Sequence, residues 1–348
     1  MKVFIIKFRL LYTLILGSAI NCFAQNNYFT VNTEQSGTAF SFPVFSSPAN
    51  NQTALKINRF LQLAELQLLK GSEKQNLFER VTTNGGGSGK KVLMNYIVQA
   101  NSNKLLSVQI KESSCETECT NETRYYNFNA GNGDLIHLKD LFTAEGYPKF
   151  YTALTTKRTA VLDKQLLKLS AADKALMEGV KECYAASTLN DFYIKENILY
   201  LDGENCFYNT QKNQLIKRLD NFTLPEFKEY LNDYGKSLFA VSTNNIGDYR
   251  SYILPQLFES REISDSMLIF VLTPFYMEEM KGIYAYINKG IGFKMEGRVK
   301  GDELYLAEFE NPIGETPYLY ATYANNQIKG VLADRRKTIT KPVNLIRK

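Results

Sequence analysis

The groups through which this chain could do chemistry are few: one histidine, five cysteines and scattered carboxylates in 348 residues, with no tryptophan. A hydrolytic triad or most zinc sites would have to use His137, the sole histidine. It lies in Leu135–Leu138, which reads as a short strand, and neither a Gly-x-Ser-x-Gly nor a His-Glu-x-x-His pattern accompanies it. A structural histidine is expected. Glu303, Glu308 and Glu310 are the carboxylates that a glycosidase mechanism would recruit, and Glu308 and Glu310 share one strand face about 7 Å apart. Polar strand faces carry such pairs routinely, so solvated charges are expected. Asn84-Gly85-Gly86-Gly87-Ser88-Gly89-Lys90 approximates a phosphate loop but fails it. Asn84 replaces the first glycine, and Lys91 stands where Ser or Thr would hold magnesium, which leaves a flexible loop. The expectation is a protein with no catalytic residue, no cofactor and no metal.

Residues 1–25 set the compartment. Lys2, Lys7 and Arg9 precede an apolar run from Leu10 to Ile20, and Cys22-Phe23-Ala24-Gln25 offers a small-residue cleavage site. This pattern is that of a secretory signal peptide, too short and wrongly flanked for a stable span. Lipid anchoring through Cys22 would want Leu three residues earlier and a small residue just before; Ala19 and Asn21 stand there, so soluble export to the periplasm or beyond is expected. Without Lys2, Lys7 and Arg9, the 41 basic residues become 38 against 36 acidic ones, which is no nucleic-acid footprint and no polybasic anchor. No later segment is long and apolar enough to span a bilayer; Met267–Phe275 has the length of a buried strand.

In an oxidising space the four remaining cysteines, Cys115, Cys119, Cys183 and Cys206, favour disulfides. Three pairings are possible, and local pairing is the simplest. Cys115–Cys119 would close a hairpin, and Cys183–Cys206 would staple a helix to a sheet. Their spacing fits no common zinc ribbon.

The elements that must position these groups fall into two halves. Ala39–Phe45 reads as a strand after a polar, loose segment 26–37. Asn50-Asn51 caps a helix with Ile57, Leu61, Ala64 and Leu68 on one face, ended by Gly71. Val92–Gln99, Leu105–Ile110 and Arg124–Phe128 alternate as strands. Two helices follow, with Pro148 at a first position and Ser170 and Asp173 forming a capping box. Strands Phe192–Ile194 and Ile198–Leu201 and a short helix Pro225–Leu231 complete an α+β domain over 26–240. Residues 241–250 read as a linker. Beyond it, in 251–348, six strand-like runs (Gly282–Ile287, Ile291–Val299, Glu303–Phe309, Tyr318–Tyr323, Gln327–Ala333, Lys341–Ile346) with even turn spacing predict an all-β meander or small barrel. The chain holds 22 Tyr and 22 Phe, and two tyrosine pairs stand out in the second half. Tyr284 and Tyr286 share a strand face, as do Tyr318 and Tyr320. They are either core packing or a protein-binding patch, according to which face the core takes.

Asn95-Tyr96-Ile97-Val98, Asn103 to Val108, Tyr126-Asn127-Phe128 and Gly133 to Phe142 together resemble a known exported module. The resemblance is to the α+β domain of the lysozyme-sensing anti-sigma-factor ectodomains, which also stands beside peptidoglycan deacetylases. It covers roughly 50–235 and implies a domain that binds rather than catalyses, with lysozyme as the ligand in the best-understood members. Cys206-Phe207-Tyr208 to Leu224-Pro225-Glu226-Phe227 matches that pattern only loosely. Gly282-Ile283-Tyr284-Ala285-Tyr286, Gly297, Gly301 and Leu304 to Glu308 are similar to a β-meander of exported bacterial proteins, some with lysozyme-inhibitor-like modules, although Gly330-Val331-Leu332 lacks their tryptophan. The resulting expectation is an exported, non-catalytic binding protein of the bacterial envelope, taking lysozyme-type muramidases or cell-wall fragments. The alternatives are a structural component of an envelope complex and a wall-modifying enzyme built on the tail carboxylates.

Overall fold

The structure is a computed structural model and describes residues 28–83, 90–115, 119–177, 179, 181–182, 191–202, 219–242, 249–260, 267–274, 278–308, 317–334, 336–338 and 340–347. The leader 1–25 with Cys22, the glycine-rich 84–89, Cys183, Cys206 and Glu310 lie outside these residues, as does most of segment 241–250.

The first half is built on a five-stranded sheet ordered β1 (Thr30–Ser36), β2 (Phe40–Ser46), β3 (Lys90–Asn101), β4 (Leu105–Cys115) and β5 (Cys119–Asn129). Neighbours are antiparallel except β2 and β3, which meet in parallel at Phe40 and Met94. Strand β1 occupies the segment expected to be loose. Its side chains are polar because it is an edge strand, and its order comes from its neighbours. All seven of its residues pair with β2, and Asn101 clamps the backbone of the buried Phe29 from both sides, accepting from its N–H at 2.9 Å and donating to its carbonyl at 2.7 Å.

Helix α1 (Asn51–Leu61) starts where its cap predicts, with the Asn50 side chain accepting from Thr53 N–H. Ile57, Phe60 and Leu61 bury the helix against the sheet. The helix continues as a π turn, Gln62–Leu66, and stops at Gln67 in the left-handed region (φ 53°), four residues before Gly71. It ends early because Leu68 leaves the helix to bridge Ile291 of the second half. The short helix α2 (Glu79–Thr83) leads into β3.

After β5 the chain departs from expectation again. Leu135 makes one bridge to Phe128, and Leu138–Leu141 then wind into a 3₁₀ turn, so His137 caps a turn rather than sitting in a strand. The Asp140 carboxylate accepts the His137 N–H at 2.8 Å, a local bond that competes with sheet pairing. Helix α3 (Gly146–Leu166) buries Phe150, Leu154 and Leu162; Pro148 stands third in it, still within the first turn where no N–H is needed. Helix α4 (Ala171–Leu176) is capped by Ser170, whose hydroxyl accepts from Asp173 N–H at 3.2 Å. A small sheet, β6 (Phe192–Lys195), β7 (Ile198–Asp202) and β8 (Leu219–Thr223), joins α3 around a second core with α5 (Leu224–Phe227) and α6 (Asp233–Leu238).

The second half is a closed antiparallel barrel of eight strands rather than six. They are β9 (Gln256–Ser260), β10 (Leu268–Pro274), β11 (Glu279–Tyr286), β12 (Gly292–Lys300), β13 (Glu303–Glu308), β14 (Tyr318–Ala324), β15 (Gln327–Ala333) and β16 (Thr340–Arg347). A six-strand meander would leave two bare edges. Strands β9 and β10 fill the gap, with β9 pairing β16 on one side and β10 on the other. Phe258, Phe270, Met295, Leu306, Leu319, Ile328 and Leu345 fill the interior.

The two halves share one core. The outward side chains Leu257, Ile269, Val271 and Ala285 of β9–β11 pack with Ile57, Leu61 and Leu66. Charged pairs cross the same junction: Asp134, which also accepts from Lys56 of its own half, accepts from Arg347 at 2.6 Å, and Arg59 reaches Glu259 at 2.8 Å. Gln256 closes a pair of bonds with the Leu135 backbone at 3.3 and 3.0 Å. Within 241–250, Tyr249 stacks on Tyr234 with centroids 4.1 Å apart and donates its hydroxyl to Asp140 at 2.9 Å.

Candidate functional site

Strands β13 and β14 place Tyr305, Tyr318 and Tyr320 on the outside of the barrel. Alternation explains it: Leu304, Leu306 and Leu319 are buried inward, so the intervening residues must face out. Register sets Tyr305 directly opposite Tyr320, and Tyr318 one row away opposite Ala307. The three ring centroids are 5.2 to 6.1 Å apart, and the Lys337 ammonium sits 4.1 Å over the Tyr320 ring. Val331 and Pro342 extend the Tyr305–Tyr320 row across β15 and β16. Tyr305 is 43% exposed, and Tyr318 and Tyr320 are half-buried.

Two glycines make this wall tight. A Cβ at Gly297 would strike the backbone carbonyl of Tyr305, and one at Gly330 would strike that of Tyr320. Only glycine lets the flanking strands close on the tyrosine-bearing pair. The wall also faces away from the junction. In the closed order, β14 lies four strands from β10 in either direction, and β10 is the strand whose outer face packs on the first half.

Tyr284 and Tyr286 are not part of this wall. Tyr284 is an interior residue, 5% exposed, stacked between Phe270 and Phe293 at 6.4 and 5.3 Å. Its strand is buried on both faces, because Ile283, Ala285 and Ile287 pack on the first half, so alternation could not reveal which face meets solvent. The Tyr284 hydroxyl donates to Glu308 at 2.7 Å; burial, the bond and the carboxylate's charge push its pKa well up. Glu308 is thus a buried partner rather than a solvated charge, whereas Glu303 is exposed. Tyr286 is half-buried, with Lys341 and Lys289 over its ring at 4.2 and 5.7 Å.

His137 is buried at the junction, and its Nε2 has no hydrogen-bond partner among the described residues. Burial lowers its pKa, opposed by the Asp140 charge and by the carbonyls of Pro255 and Ile253. Cys115 and Cys119 form a disulfide across a register pair at the end of β4 and the start of β5. Lys91 pairs with Glu112 and, at 3.6 Å, with Glu65. Burial works against ionising Glu65, yet Arg124, Lys91 and the Tyr126 hydroxyl hold its carboxyl below the usual range. No described group of three His, Cys, Asp or Glu side chains could hold a metal, and no described helix is long and apolar enough to cross a membrane.

The arrangement gathers rings, hydroxyls and a cation on one face of the sheet. Tyr318 and Tyr320 were legible as a pair. Tyr305 was not, because its place depends on the β13–β14 register.

No protein-family model and no curated protein matches this sequence. Among solved structures, the chain is similar to a DUF3298 family protein from Pseudomonas aeruginosa PAO1, with 10% identity over 60% of this chain and 94% of that one and a TM-score of 0.38. It is likewise similar to a member of the same family from Bacteroides fragilis NCTC 9343, with 13% identity over 62% of this chain and 95% of that one and a TM-score of 0.38.

Proposed function

We propose that this chain is an exported, non-catalytic binding protein of the cell envelope that docks a protein partner on the tyrosine wall of its barrel. The carrying observation is the cluster of Tyr305, Tyr318 and Tyr320 on the wall turned away from the junction. Tyrosine supplies large, rigid contact area with a polar tip, and it is enriched where proteins meet. The partner class, a lysozyme-type muramidase, comes from the resemblance of residues 50–235 and, for the barrel itself, from the likeness of Gly282 to Glu308 to a β-meander of exported proteins, some with lysozyme-inhibitor-like modules. Export rests on the leader pattern of residues 1–25.

The test is calorimetric titration of the mature chain with purified lysozyme, repeated with Tyr305→Ala/Tyr320→Ala. A saturable complex that the double variant weakens roughly tenfold or more supports the proposal. No complex, or one indifferent to the double variant, refutes it. If instead the chain turns over purified peptidoglycan and Glu308→Gln abolishes that turnover, the enzyme alternative replaces it.

A further inference from the structure

The five-stranded sheet has a second face. Met94, Val108, Ile110 and Phe128 point into the core under α1, so the alternate residues of β3–β5 point the other way. On that face Ile97, Gln109 and Tyr125 lie in one register row, with Asn95, Lys111 and Thr123 in the next. The row continues into the small sheet. Tyr125 stacks on Tyr193 with centroids 5.3 Å apart and 17° between planes, and Tyr193 stacks on Tyr200 at 4.5 Å and 6°. Tyr193 and Tyr200 are register partners whose neighbours Phe192, Ile194, Leu199 and Leu201 fill the second core, so both rings take the opposite face.

A chain of polar groups runs along the same row. Gln99 Nε2 donates to Gln109 Oε1 at 2.9 Å, Gln109 Nε2 to the Tyr125 hydroxyl at 3.1 Å, and that hydroxyl to Asp202 Oδ2 at 2.7 Å. Gln109 and Asp202 are 7% and 9% exposed, so their orientations are held, while the three rings are half-buried and Ile97 is 43% exposed. Lys111 and Asp202 bring one charge of each sign.

We propose that this row is a binding site for an uncharged oligosaccharide. A pyranose carries C–H surface and hydroxyls on the same small body, so it needs an apolar aromatic ledge beside fixed amide, phenol and carboxylate groups. Tyr125, Tyr193 and Tyr200 stack on one another, so they offer their outward edges rather than the covered faces of Tyr193, and with Ile97 they form the ledge. Gln99, Gln109 and Asp202 form the hydrogen-bonding fringe, and a fringe already oriented by its own bonds loses little freedom when a sugar hydroxyl joins it. The proposal goes beyond docking at the barrel wall and needs none of its residues.

The probes are triacetylchitotriose and cellotriose, titrated by calorimetry and by NMR of the tyrosine rings. Saturable binding of either sugar that shifts the ring signals of Tyr125, Tyr193 and Tyr200, and not those of Tyr305, Tyr318 and Tyr320, is the expected result. Tyr193→Ala should weaken it roughly tenfold, and Tyr305→Ala/Tyr320→Ala should leave it unchanged. No saturation with either sugar at millimolar concentration, or ring shifts confined to the barrel tyrosines, overturns the assignment. Neither result depends on whether lysozyme binds.

Discussion

Replacing Asp134 by Asn should unfasten the two halves of the molecule. The Asp134 side chain is 2% exposed and serves two buried cations, Lys56 at 8% and Arg347 at 3%. Lys56 also donates to the Asn132 carbonyl at 3.1 Å, and Arg347 Nε has no hydrogen-bond partner among the described residues. Breaking a buried ion pair by removing one partner costs about 3–5 kcal/mol, because an uncompensated charge stays behind. Here the lower end applies. Burial already lowers the Lys56 pKa, and Asp134 is the main group opposing that fall. Without it, Lys56 can shed its proton and so limit the loss. The measurement is urea unfolding at neutral pH, where about 3 kcal/mol at a slope near 3 kcal/mol/M lowers the midpoint by about 1 M. Adding Lys56→Met should recover part of this, since one buried cation that Asp134 compensated disappears. The deficit should also shrink as pH rises and Lys56 is neutralised. A midpoint shift below roughly 0.3 M, or equal deficits with and without Lys56→Met, would refute the reasoning.

Three further outcomes are expected. His137 has a folded-state pKa below its ordinary value, so folding favours the neutral ring; its stabilising contribution is full above about pH 6.5 and is lost as pH falls through the lowered folded value. Melting temperature against pH should therefore drop on that limb, and His137→Gln should flatten it. Gly330→Ala forces the new methyl into the Tyr320 carbonyl, and should cost about 1–3 kcal/mol in urea unfolding while weakening the proposed lysozyme docking through displaced tyrosines. Cys115→Ser/Cys119→Ser opens a loop of only a few residues, so the loss should be about 2 kcal/mol by denaturant titration, and a reducing agent should lower the parent chain to the same stability.

Much of the architecture was legible because local signals and burial agree. The Asn50 cap, the spacing of Ile57 and Leu61, and the alternation of β12 to β16 each reflect one periodicity read by one core. Legibility failed where another part of the chain decides the outcome. Thr30–Ser36 is polar and becomes a strand only because β2 pairs with it. The barrel's β9 and β10 bury both faces, one inward and one against α1, so they show no alternation; Met267–Phe275 showed only the length of a buried strand, and Gln256–Ser260 gave no signal. Tyr284 was ambiguous for the same reason. Lys56 and Arg347 look like surface charges in sequence, and nothing short of the tertiary packing reveals that Asp134 holds both. The tyrosine wall was half visible, since shared parity places Tyr318 with Tyr320 but only strand pairing adds Tyr305.

Hydrogen exchange of the mature chain, alone and with excess lysozyme, locates the contact without any substitution. The binding account predicts slowed exchange in Glu303–Glu308 and Tyr318–Ala324, with the junction strands Gln256–Ser260 and Leu268–Pro274 unchanged. Identical exchange in the two samples, or protection that spares both tyrosine-bearing strands, would contradict it.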